Sequence, residues 1–367
     1  MSRRAPCRRV AVDAHVLTGM YQGSRTYLEN MLRNLGELDG SNRYQIFSHD
    51  PATTRALLPF DNFEHYRIPR LGAATRLLAW WPQARRTHKF DVLITQYICP
   101  PLMQGSQFVV LHDILPETHP ALFPPLMRWR SRLLFRASAR RAEQIFTVSD
   151  YTRRQIIARY GVATEKVHIT YNGFDAAPAA ASRGGKLPAA PYFLYVGRLE
   201  KRKNVDLLIG ALARAGAARE ARLLIVGQRH SASPALLKLI EQSPNVEHRE
   251  NVDNDELDML YRGARAFVYP SSAEGFGLPV LEALARGVPV ITSDRTSLPE
   301  VGGDLVRYFD PTAVGAVERL ASILDEAWVH PQPPDRDRLQ RHLRQFSWRS
   351  SATVLLEQIN RLPLTRR

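Results

Sequence analysis

Short apolar runs and helical segments alternate along this chain twice, and a stretch without periodicity separates the two series. Five runs in each half have the length and composition of buried strands. Strands that are separated by helical segments predict βαβ units and parallel sheets. The predicted strands lie at 9–13, 44–48, 92–95, 108–112 and 144–148, and then at 192–196, 222–226, 245–248, 266–269 and 288–292.

The separating stretch, 176–191, reads AAPAAASRGGKLPAAP and is predicted to be a linker. It divides an N-terminal domain over 1–175 from a C-terminal domain over 192–345. A helical segment follows over 346–367, and it could cross back to pack on the first domain. The predicted fold class is α/β, with two doubly wound Rossmann-like domains. Because such sheets bind ligands beyond the carboxyl ends of their strands, two domains that face a central cleft suit a reaction between two substrates.

Charge and composition narrow the class of protein. The 367 residues include 50 Lys and Arg against 36 Asp and Glu, and residues 1–175 hold 24 of the former and 14 of the latter. A basic half attracts nucleic acid, an anionic membrane face or phosphorylated substrates, although solubility alone also accounts for it. Two cysteines cannot form a disulfide framework, and no apolar run has the length of a secretory signal or a membrane span. These features predict a cytoplasmic protein.

The strongest local signal is the segment 269–287, YPSSAEGFGLPVLEALARG. A predicted strand is followed by a loop of small residues and then by a helix. Gly275 and Gly277 allow a ligand to approach the backbone, and the N–H groups at the start of the helix suit an anion. Glu282 lies one turn beyond Leu278 and can face the same ligand, where carboxylate oxygens suit the paired hydroxyls of a sugar.

A second signal is VGRLEKRKN at 196–204. Arg198, Arg202 and Lys203 follow the end of a predicted strand, and three cations at such a position match a diphosphate. Cations are common in loops of this kind, so the segment becomes informative only together with the segment at 269–287.

Together these segments resemble the retaining glycosyltransferases of family 4, which have the GT-B fold. The spacing of Glu274 and Glu282 within EGFGLPVLEALARGVPV, preceded by YVGRLEKRKN, carries the resemblance. Residues 13–35 are similar to the first strand, glycine-containing loop and helix of the family. Further motifs follow in the family's order: LHD, TVSDYTRRQI, YNGFD, ENVDNDELDMLY and FSW. The ordered set is specific, whereas no single member is.

The resemblance implies a role for each matching position. Arg198 and Lys203 would bind the donor diphosphate and stabilise the departing charge, Glu282 would bind the ribose, and Glu274 would hold hydroxyls of the donor sugar. His112, in the family's His-Asp motif, would lie near the sugar and polarise it or the leaving group. The catalytic set is therefore His112, Arg198, Lys203 and Glu274. The other donor-binding positions are Gly23 in the glycine loop, Asn251 (where the family usually has Gly) and Val252 at the base, and Gly275, Phe276, Gly277 and Leu278.

The chemistry expected from these residues needs no metal and no other cofactor. Breaking a glycosyl phosphate bond leaves a diphosphate with growing negative charge, which fixed cations and a helix N-terminus stabilise. The family retains anomeric configuration, by attack on the leaving-group face, so no general base is assigned.

The expected function is hexosyl transfer from a nucleotide sugar to a saccharide or lipid-linked saccharide in polysaccharide biosynthesis. The segments PYFLYVGRLEKRKN and VVLHDILPETHP resemble those of bacterial mannosyltransferases of surface polysaccharide assembly. This favours GDP-mannose as the donor, with a UDP-hexose as the alternative. A nucleotide-sugar epimerase of the same fold and a non-enzymatic basic binding protein are rival functions. No nucleic-acid partner is expected.

The segment 128–141, RWRSRLLFRASARR, has six arginines in 14 residues. Four of them are predicted to share one helix face, namely Arg128, Arg132, Arg136 and Arg140. Trp129, Leu133 and Ala137 form the adjacent stripe. Such a helix could lie on the anionic inner face of the plasma membrane, where a lipid-linked acceptor would be presented. A solvated helix with its apolar side on the core is the alternative.

Overall fold

The computed structural model describes residues 7–19, 22–174, 191–218 and 220–363. The chain divides into two compact units, of which the first comprises Met1–Gly173 and Phe346–Arg367 and the second comprises Phe174–Gln345. Of the predicted linker, only its last residue lies within the described part of the chain.

The first unit is built on a parallel sheet whose described strands have the order β3-β2-β1-β4-β5-β6-β7. The central strands are apolar and buried, which explains why they form the middle of the sheet. The strands are β1 (Arg9–Asp13), β2 (Arg43–Ser48), β3 (Phe63–Arg67), β4 (Val92–Gln96), β5 (Ser106–Val110), β6 (Gln144–Thr147) and β7 (Val167–Ile169).

The second unit has a parallel sheet of described strands in the order β10-β9-β8-β11-β12-β13. These strands are β8 (Tyr192–Val196), β9 (Arg222–Val226), β10 (Val246–Arg249), β11 (Ala266–Tyr269), β12 (Val290–Ser293) and β13 (Arg307–Phe309). Both sheets therefore have the doubly wound parallel topology, and the predicted α/β fold class is confirmed.

Helices connect the strands of both sheets. In the first unit they are α1 (Gly23–Leu38), α2 (Pro51–Leu57), α3 (Ala73–Thr75), α4 (Trp81–His88), α5 (Leu115–Thr118), α6 (Pro125–Arg141) and α7 (Asp150–Tyr160), with a π-helical turn at Arg76–Trp80 between α3 and α4. In the second unit they are α8 (Val205–Arg214), α9 (Pro234–Gln242), α10 (Asn254–Gly263), α11 (Leu278–Ala285), α12 (Leu298–Gly302), α13 (Ala316–Val329) and α14 (Arg336–Leu343).

The last helix, α15 (Trp348–Arg361), belongs to the first unit. Ser351 donates a hydrogen bond to the carbonyl of Tyr171 at 2.7 Å, and Arg8 donates to the carbonyl of Leu362. Trp348 packs against Gly173, where a Cβ atom would come within 2.5 Å of the Trp348 backbone nitrogen. Glycine at 173 thus permits the close approach that ties this helix to the first unit.

Each sheet has one point at which the strand order reverses, between β1 and β4 in the first unit and between β8 and β11 in the second. Connections leave such a switch point toward opposite faces, and open α/β sheets bind ligands there, beyond the carboxyl ends of the strands. The residues that follow these four strands are therefore the first places to look for a site.

Candidate active site

A buried ion-pair cluster occupies the switch point of the second sheet. Lys203 lies in the short 3-10 turn Lys201–Lys203 after β8, and Glu274 lies in the loop after β11. The Lys203 ammonium donates to one oxygen of Glu274 and, at 2.5 Å, to the hydroxyl of Tyr269. Arg202 donates to the other oxygen of Glu274 at 3.0 Å. The structure thus unites two predicted site residues, Lys203 and Glu274, which are both buried.

The charges of this cluster are set by burial and by one another. Burial alone raises the pKa of Glu274, but the opposing charges of Lys203 and Arg202 bring it down to about 2. Burial lowers the pKa of Lys203 to about 8, although the neighbouring Glu274 opposes this shift. Glu274 is consequently an anion at neutral pH and Lys203 is mostly a cation.

Backbone contacts hold the two loops of the cluster together. Asn204 donates from its side chain to the carbonyl of Pro270 at 2.8 Å. Ser297, ahead of α12, donates to the carbonyls of Glu274 at 3.1 Å and Phe276 at 2.9 Å. The conformation of the loop carrying Glu274 is therefore fixed by neighbours on both sides.

The predicted backbone segment 275–278 leads directly into α11. Gly277 has φ +106, a conformation that favours glycine, and a Cβ there would also lie 2.6 Å from the Leu298 side chain. Phe276 is buried, and Leu278 is the first residue of the helix. That the N–H groups of this segment, with Gly275, bind the donor stays a prediction.

Arg198, the third predicted cation contact, lies on the surface. Its side chain is 49% exposed and pairs with Glu200 at 2.7 Å. Glu200 also accepts from Arg202 at 2.8 Å, so it links Arg198 to the buried cluster. Arg198 is thus accessible to a ligand, whereas Arg202 is half-buried and already paired.

Glu282 lies apart from the ion-pair cluster, on α11. One carboxylate oxygen accepts a hydrogen bond from Tyr261 at 2.9 Å. Burial raises the pKa of Glu282, against the opposing effects of Tyr261 and Arg286. Its second oxygen has no hydrogen-bond partner among the residues that the structure describes, so one acceptor position remains for a ligand hydroxyl.

Asn251 and Val252 follow β10. Asn251 has φ +55, the left-handed conformation, and its side-chain oxygen accepts from Gln228 at 2.9 Å. This explains how asparagine stands where the family usually has glycine, because asparagine tolerates this backbone conformation better than most residues do. Asn251 is exposed and Val252 half-buried.

His112 and Gly23 belong to the first unit. The predicted strand 108–112 ends at Val110, so His112 lies two residues beyond β5. Its ring nitrogen Nε2 donates to Gln96 at 2.7 Å, and burial lowers its pKa to about 4, so the ring is neutral at pH 7. Gly23 begins α1, and a Cβ there would meet no atom within 4 Å.

Sequence reasoning missed several residues of these clusters. The sequence pattern places Arg202 among three cations that match a diphosphate, but it does not predict the bond from Arg202 to Glu274. Tyr269 is predicted only as the end of a strand, although its hydroxyl also donates to Glu274 at 2.9 Å. A polar aromatic residue immediately before a glycine-rich loop was the available signal. Tyr261 and Gln96 gave no signal, since they come from elements remote in sequence.

Helix α6 presents an apolar ridge to solvent. Leu126, Trp129 and Leu133 are 74%, 63% and 50% exposed, and they share a face by their spacing of three and four residues. The interpretation that places the apolar side of this helix on the core is therefore wrong for these residues. Arg132 and Arg140 are exposed, while Arg128 and Arg136 are partly buried, so the four arginines are not equally solvated.

The described residues contain neither a candidate membrane span nor a candidate metal centre. No described helix has the length and hydropathy needed to cross a membrane. Within the same part of the chain, no three His, Cys, Asp or Glu side chains are grouped so that they could hold a metal ion.

Comparison with known proteins shows the family of this chain. The model of the glycosyltransferase family 4 domain matches residues 21–178, and the model of glycosyl transferases group 1 matches residues 181–345. O-antigen chain mannosyltransferase B of Escherichia coli is 33% identical over 311 residues, which cover 78% of this chain and 79% of that protein.

Two solved structures have the same fold. Sucrose-phosphate synthase from Thermosynechococcus elongatus has a TM-score of 0.74 and 18% identity, covering 96% of this chain and 98% of that one. Anabaena HepE, solved in complex with UDP and glucose, has a TM-score of 0.71 and 17% identity, covering 97% and 100%. Both are two-domain GT-B-like structures. The predicted resemblance is confirmed, and this chain belongs to the family 4 glycosyltransferases, enzymes that transfer a sugar.

Proposed function

We propose that this enzyme is a retaining hexosyltransferase that moves mannose from GDP-mannose to a saccharide acceptor, lipid-linked or free, in the synthesis of a bacterial O-antigen or a related surface polysaccharide. The observation that carries the proposal is the Glu274–Lys203–Arg202 cluster at the switch point of the second sheet. The choice of mannose is supported by the 33% identical relative, an O-antigen mannosyltransferase.

The cluster has capacity left for a donor substrate. An ammonium has three N–H donors, and Lys203 uses two of them on Glu274 and Tyr269. The third is available to a phosphate oxygen. A carboxylate has about four acceptor positions, and Glu274 interacts with Lys203, Arg202, Tyr269 and Ser271. A hydroxyl of the donor sugar would therefore bind Glu274 by replacing one of the neutral partners, Tyr269 or Ser271.

Arg198 and Glu282 would complete the donor contacts. Arg198 is exposed at the end of β8 and would form a charge-assisted bond to the diphosphate when it exchanges Glu200 for phosphate oxygens. The oxygen of Glu282 without a described partner would accept from a ribose hydroxyl. Asn251 and Val252 would lie at the base, and the neutral ring of His112 would act as a hydrogen-bonding group near the sugar.

These cations would stabilise the diphosphate as the glycosyl bond breaks, since preorganised charges act most strongly on charge that develops in the transition state. Three cations, Arg198, Arg202 and Lys203, stand against two carboxylates, Glu200 and Glu274. The excess positive charge suits an anionic leaving group. We propose that no metal takes part in this step.

Helix α6 would bring the enzyme to its acceptor at the inner face of the plasma membrane. Its exposed ridge of Leu126, Trp129 and Leu133 is flanked by arginines, which is the pattern of a helix lying in a membrane interface. Burial of exposed Trp and Leu side chains in the acyl region lowers the free energy of the bound state, and arginines are attracted by anionic lipid. The protein would be cytoplasmic and peripherally bound.

The donor can be identified without knowledge of the acceptor. Wild type and Glu274→Gln are incubated with GDP-mannose, GDP-glucose, UDP-glucose and UDP-galactose, and release of nucleoside diphosphate and of free sugar is measured. We expect hydrolysis of GDP-mannose by the wild type and loss of it in the variant, with Lys201→Gln, an exposed cation of the same turn, as the matched control.

The other outcomes are decisive as well. Preference for a UDP-hexose would replace the donor while retaining the transferase. Release of an epimeric sugar nucleotide would show an epimerase. Absence of turnover with every donor would refute the proposed activity and favour a basic binding protein.

A further inference from the structure

The switch point of the first sheet also carries a polar cluster, to which the proposed function gives no role. Asp13 is the last residue of β1, and its side chain is buried. One carboxylate oxygen accepts from Nδ1 of His15 at 2.7 Å, and the other accepts from Nε1 of Trp81 at 3.1 Å. Nε of Arg76 lies 3.7 Å from that second oxygen.

The carboxyl group of Asp13 is ionised at neutral pH. Burial raises its pKa, but His15, Arg76 and Trp81 outweigh burial and hold the pKa below the usual value. An ionised carboxylate only accepts hydrogen bonds, so Nδ1 of His15 is the donor to Asp13. This bond fixes the direction in which Nε2 of the same ring points. The Asp13 carboxylate thus orients the imidazole, as in many sites where a histidine meets a ligand.

His15 and Arg76 both retain unused hydrogen-bonding capacity. Nε2 of His15 has no partner among the described residues, and the side chain is 28% exposed. Within the same part of the chain, no group accepts a hydrogen bond from the Arg76 guanidinium, and its Nε is buried. Buried polar groups are normally hydrogen-bonded, so a buried Nε whose one described interaction is the 3.7 Å ion pair with Asp13 requires an explanation.

The backbone around Arg76 is also unusual. Residues Arg76–Trp80 form a π-helical turn, which continues into α4 at Trp81. π-Turns are rare and occur frequently at functional sites, because they redirect side chains that a regular helix would place elsewhere. Here the turn carries Arg76, and α4 carries Trp81, to the same carboxylate. The strand end, the turn and the unused donors point independently to a ligand.

We propose that His15 and Arg76, oriented by Asp13, bind hydroxyl groups of the acceptor saccharide. The inference rests on the proposed sugar transfer and adds the acceptor subsite to it. Asp13 and Arg76 carry opposite charges, so this ion pair offers a phosphate little attraction and suits the hydroxyl groups of a polyol. Nε2 of His15 forms a hydrogen bond with one hydroxyl, and the guanidinium of Arg76 donates to another oxygen. Trp81 donates its indole N–H to the Asp13 carboxylate and does not itself bind the sugar.

Two variants test this subsite. His15→Phe keeps a ring but removes Nε2, and Arg76→Gln removes the charge while keeping a donor. The control is His168→Phe, which alters a partly buried histidine on β7 of the same unit. Each protein is assayed for hydrolysis of donor alone and for transfer to a panel of acceptor probes, the octyl glycosides of mannose, glucose, galactose and N-acetylglucosamine.

We expect the KM for the acceptor probe to rise about fivefold in His15→Phe and about tenfold or more in Arg76→Gln, the range for loss of one neutral and one charged hydrogen bond. Donor hydrolysis and the donor KM should not change in either, and the control should match the wild type. An unchanged acceptor KM in both variants would overturn the inference while leaving the proposed transferase intact.

Three other results would distinguish a failure of the subsite from a failure of the proposed transferase. If the wild type hydrolyses donor but uses no glycoside of the panel, the assignment to a neutral saccharide is wrong. If inorganic phosphate competes with the glycoside and the competition disappears in Arg76→Gln, the subsite binds an anion instead. If the wild type hydrolyses no donor, the proposed function fails, and this inference fails with it.

Discussion

Lys203 and Arg198 are predicted to bind the same diphosphate, but the structure gives them different effects on stability. Lys203 is buried against Glu274, whereas Arg198 is half-exposed and pairs with Glu200 at the surface. Removal of one partner of a buried ion pair leaves an uncompensated charge, while an exposed pair contributes about 0–1 kcal/mol. The substitutions Lys203→Met and Arg198→Ala should therefore separate stability from binding.

The magnitude for Lys203→Met can be bounded. Breaking a buried pair destabilises by about 3–5 kcal/mol. Glu274 retains Arg202 and Tyr269 as partners in the variant, which reduces the loss. Glu274 can also take up a proton, and protonating a carboxyl with an ordinary pKa near 4.5 at pH 7 costs about 3 kcal/mol, which sets a ceiling. We therefore expect a loss of about 2–3 kcal/mol in the free energy of unfolding.

The assay combines urea unfolding with calorimetry. Lys203→Met should unfold at lower urea concentration, while Arg198→Ala and the exposed control Lys201→Met should lie within about 0.5 kcal/mol of the wild type. Calorimetry with GDP and with UDP should show a loss of about 1.5–3 kcal/mol for both Lys203→Met and Arg198→Ala, the range for a charge-assisted hydrogen bond. Lys201→Met should bind normally.

A double variant examines the cause of the destabilisation. In Lys203→Met/Glu274→Gln the buried carboxylate is also removed, and Arg202 keeps Glu200 at 2.8 Å. This protein should be more stable than Lys203→Met alone, because the uncompensated charge is gone. Wild-type stability in Lys203→Met, or equal stability of the single and double variants, would refute the buried ion pair. Unchanged affinity in Arg198→Ala for both nucleotides would refute its contact with the diphosphate.

Three further predictions concern acid stability, the nucleotide and the membrane. The pKa of Glu274 is about 2 when folded, below its ordinary value, so its ionised form stabilises the fold by about 3 kcal/mol above pH 4.5. This stabilisation is lost as the pH falls from about 4.5 toward 2, and urea unfolding over that range should depend less on pH in Glu274→Gln. Glu282→Gln should weaken calorimetric affinity for free GDP or UDP by about tenfold and Tyr261→Phe by less, whereas Glu274→Gln should not, since the free nucleotide lacks the sugar; the reverse order would exchange the two assignments. The double variant Trp129→Ser/Leu133→Ser should sediment less with anionic vesicles, by roughly 1.5–3 kcal/mol for each side chain, without loss of transfer to a soluble acceptor; equal sedimentation would make α6 an ordinary solvated helix.

The sequence predicts the strands in the middle of each sheet and one edge strand, β10. A strand buried on both faces is an apolar run that stands out against its surroundings, as in β1 and β8. Three strands escaped prediction, namely β3, β7 and β13. They lie at sheet edges, and they are short or carry polar residues, as FEHYR does in β3. An edge strand is half solvated, so its composition does not distinguish it from a loop.

In the candidate site, the sequence predicts which residues are present but not which residues they contact. The spacing of the cations after β8 is visible in the sequence, but which of them is buried depends on the 3-10 turn Lys201–Lys203. That turn directs Arg202 and Lys203 toward Glu274 and leaves Lys201 in solvent. Which of the three side chains is buried therefore depends on a contact between residues 71 positions apart in the chain, and a local sequence pattern does not contain this information.

Helix α6 shows a feature that periodicity alone does not predict. Residues four apart advance by about 400°, so a ladder of four arginines drifts by about 120° around the helix. A steady drift does not produce the observed alternation, in which Arg128 and Arg136 are partly buried while Arg132 and Arg140 are exposed, so the exposure of each arginine depends on its own neighbours. Which direction points inward is set by the small residues Ser131, Ser138 and Ala139, and the sequence does not mark these as core.

The two switch points differ in charge in a way that bears on what each can bind. Beyond β8 and β11, three cations face two carboxylates in one connected network, and the surplus cation Arg198 is also the accessible one. Beyond β1, a single carboxylate faces a single guanidinium, with a histidine held by Asp13. A site with surplus positive charge attracts a diphosphate, whereas a balanced site offers a dianion little attraction and suits hydroxyl groups. Changing the net charge of each site should therefore change the ligand that it prefers. Arg198→Glu should abolish affinity for GDP and UDP. Asp13→Asn leaves Arg76 without its counter-charge, so inorganic phosphate should inhibit transfer by this variant but not by the wild type.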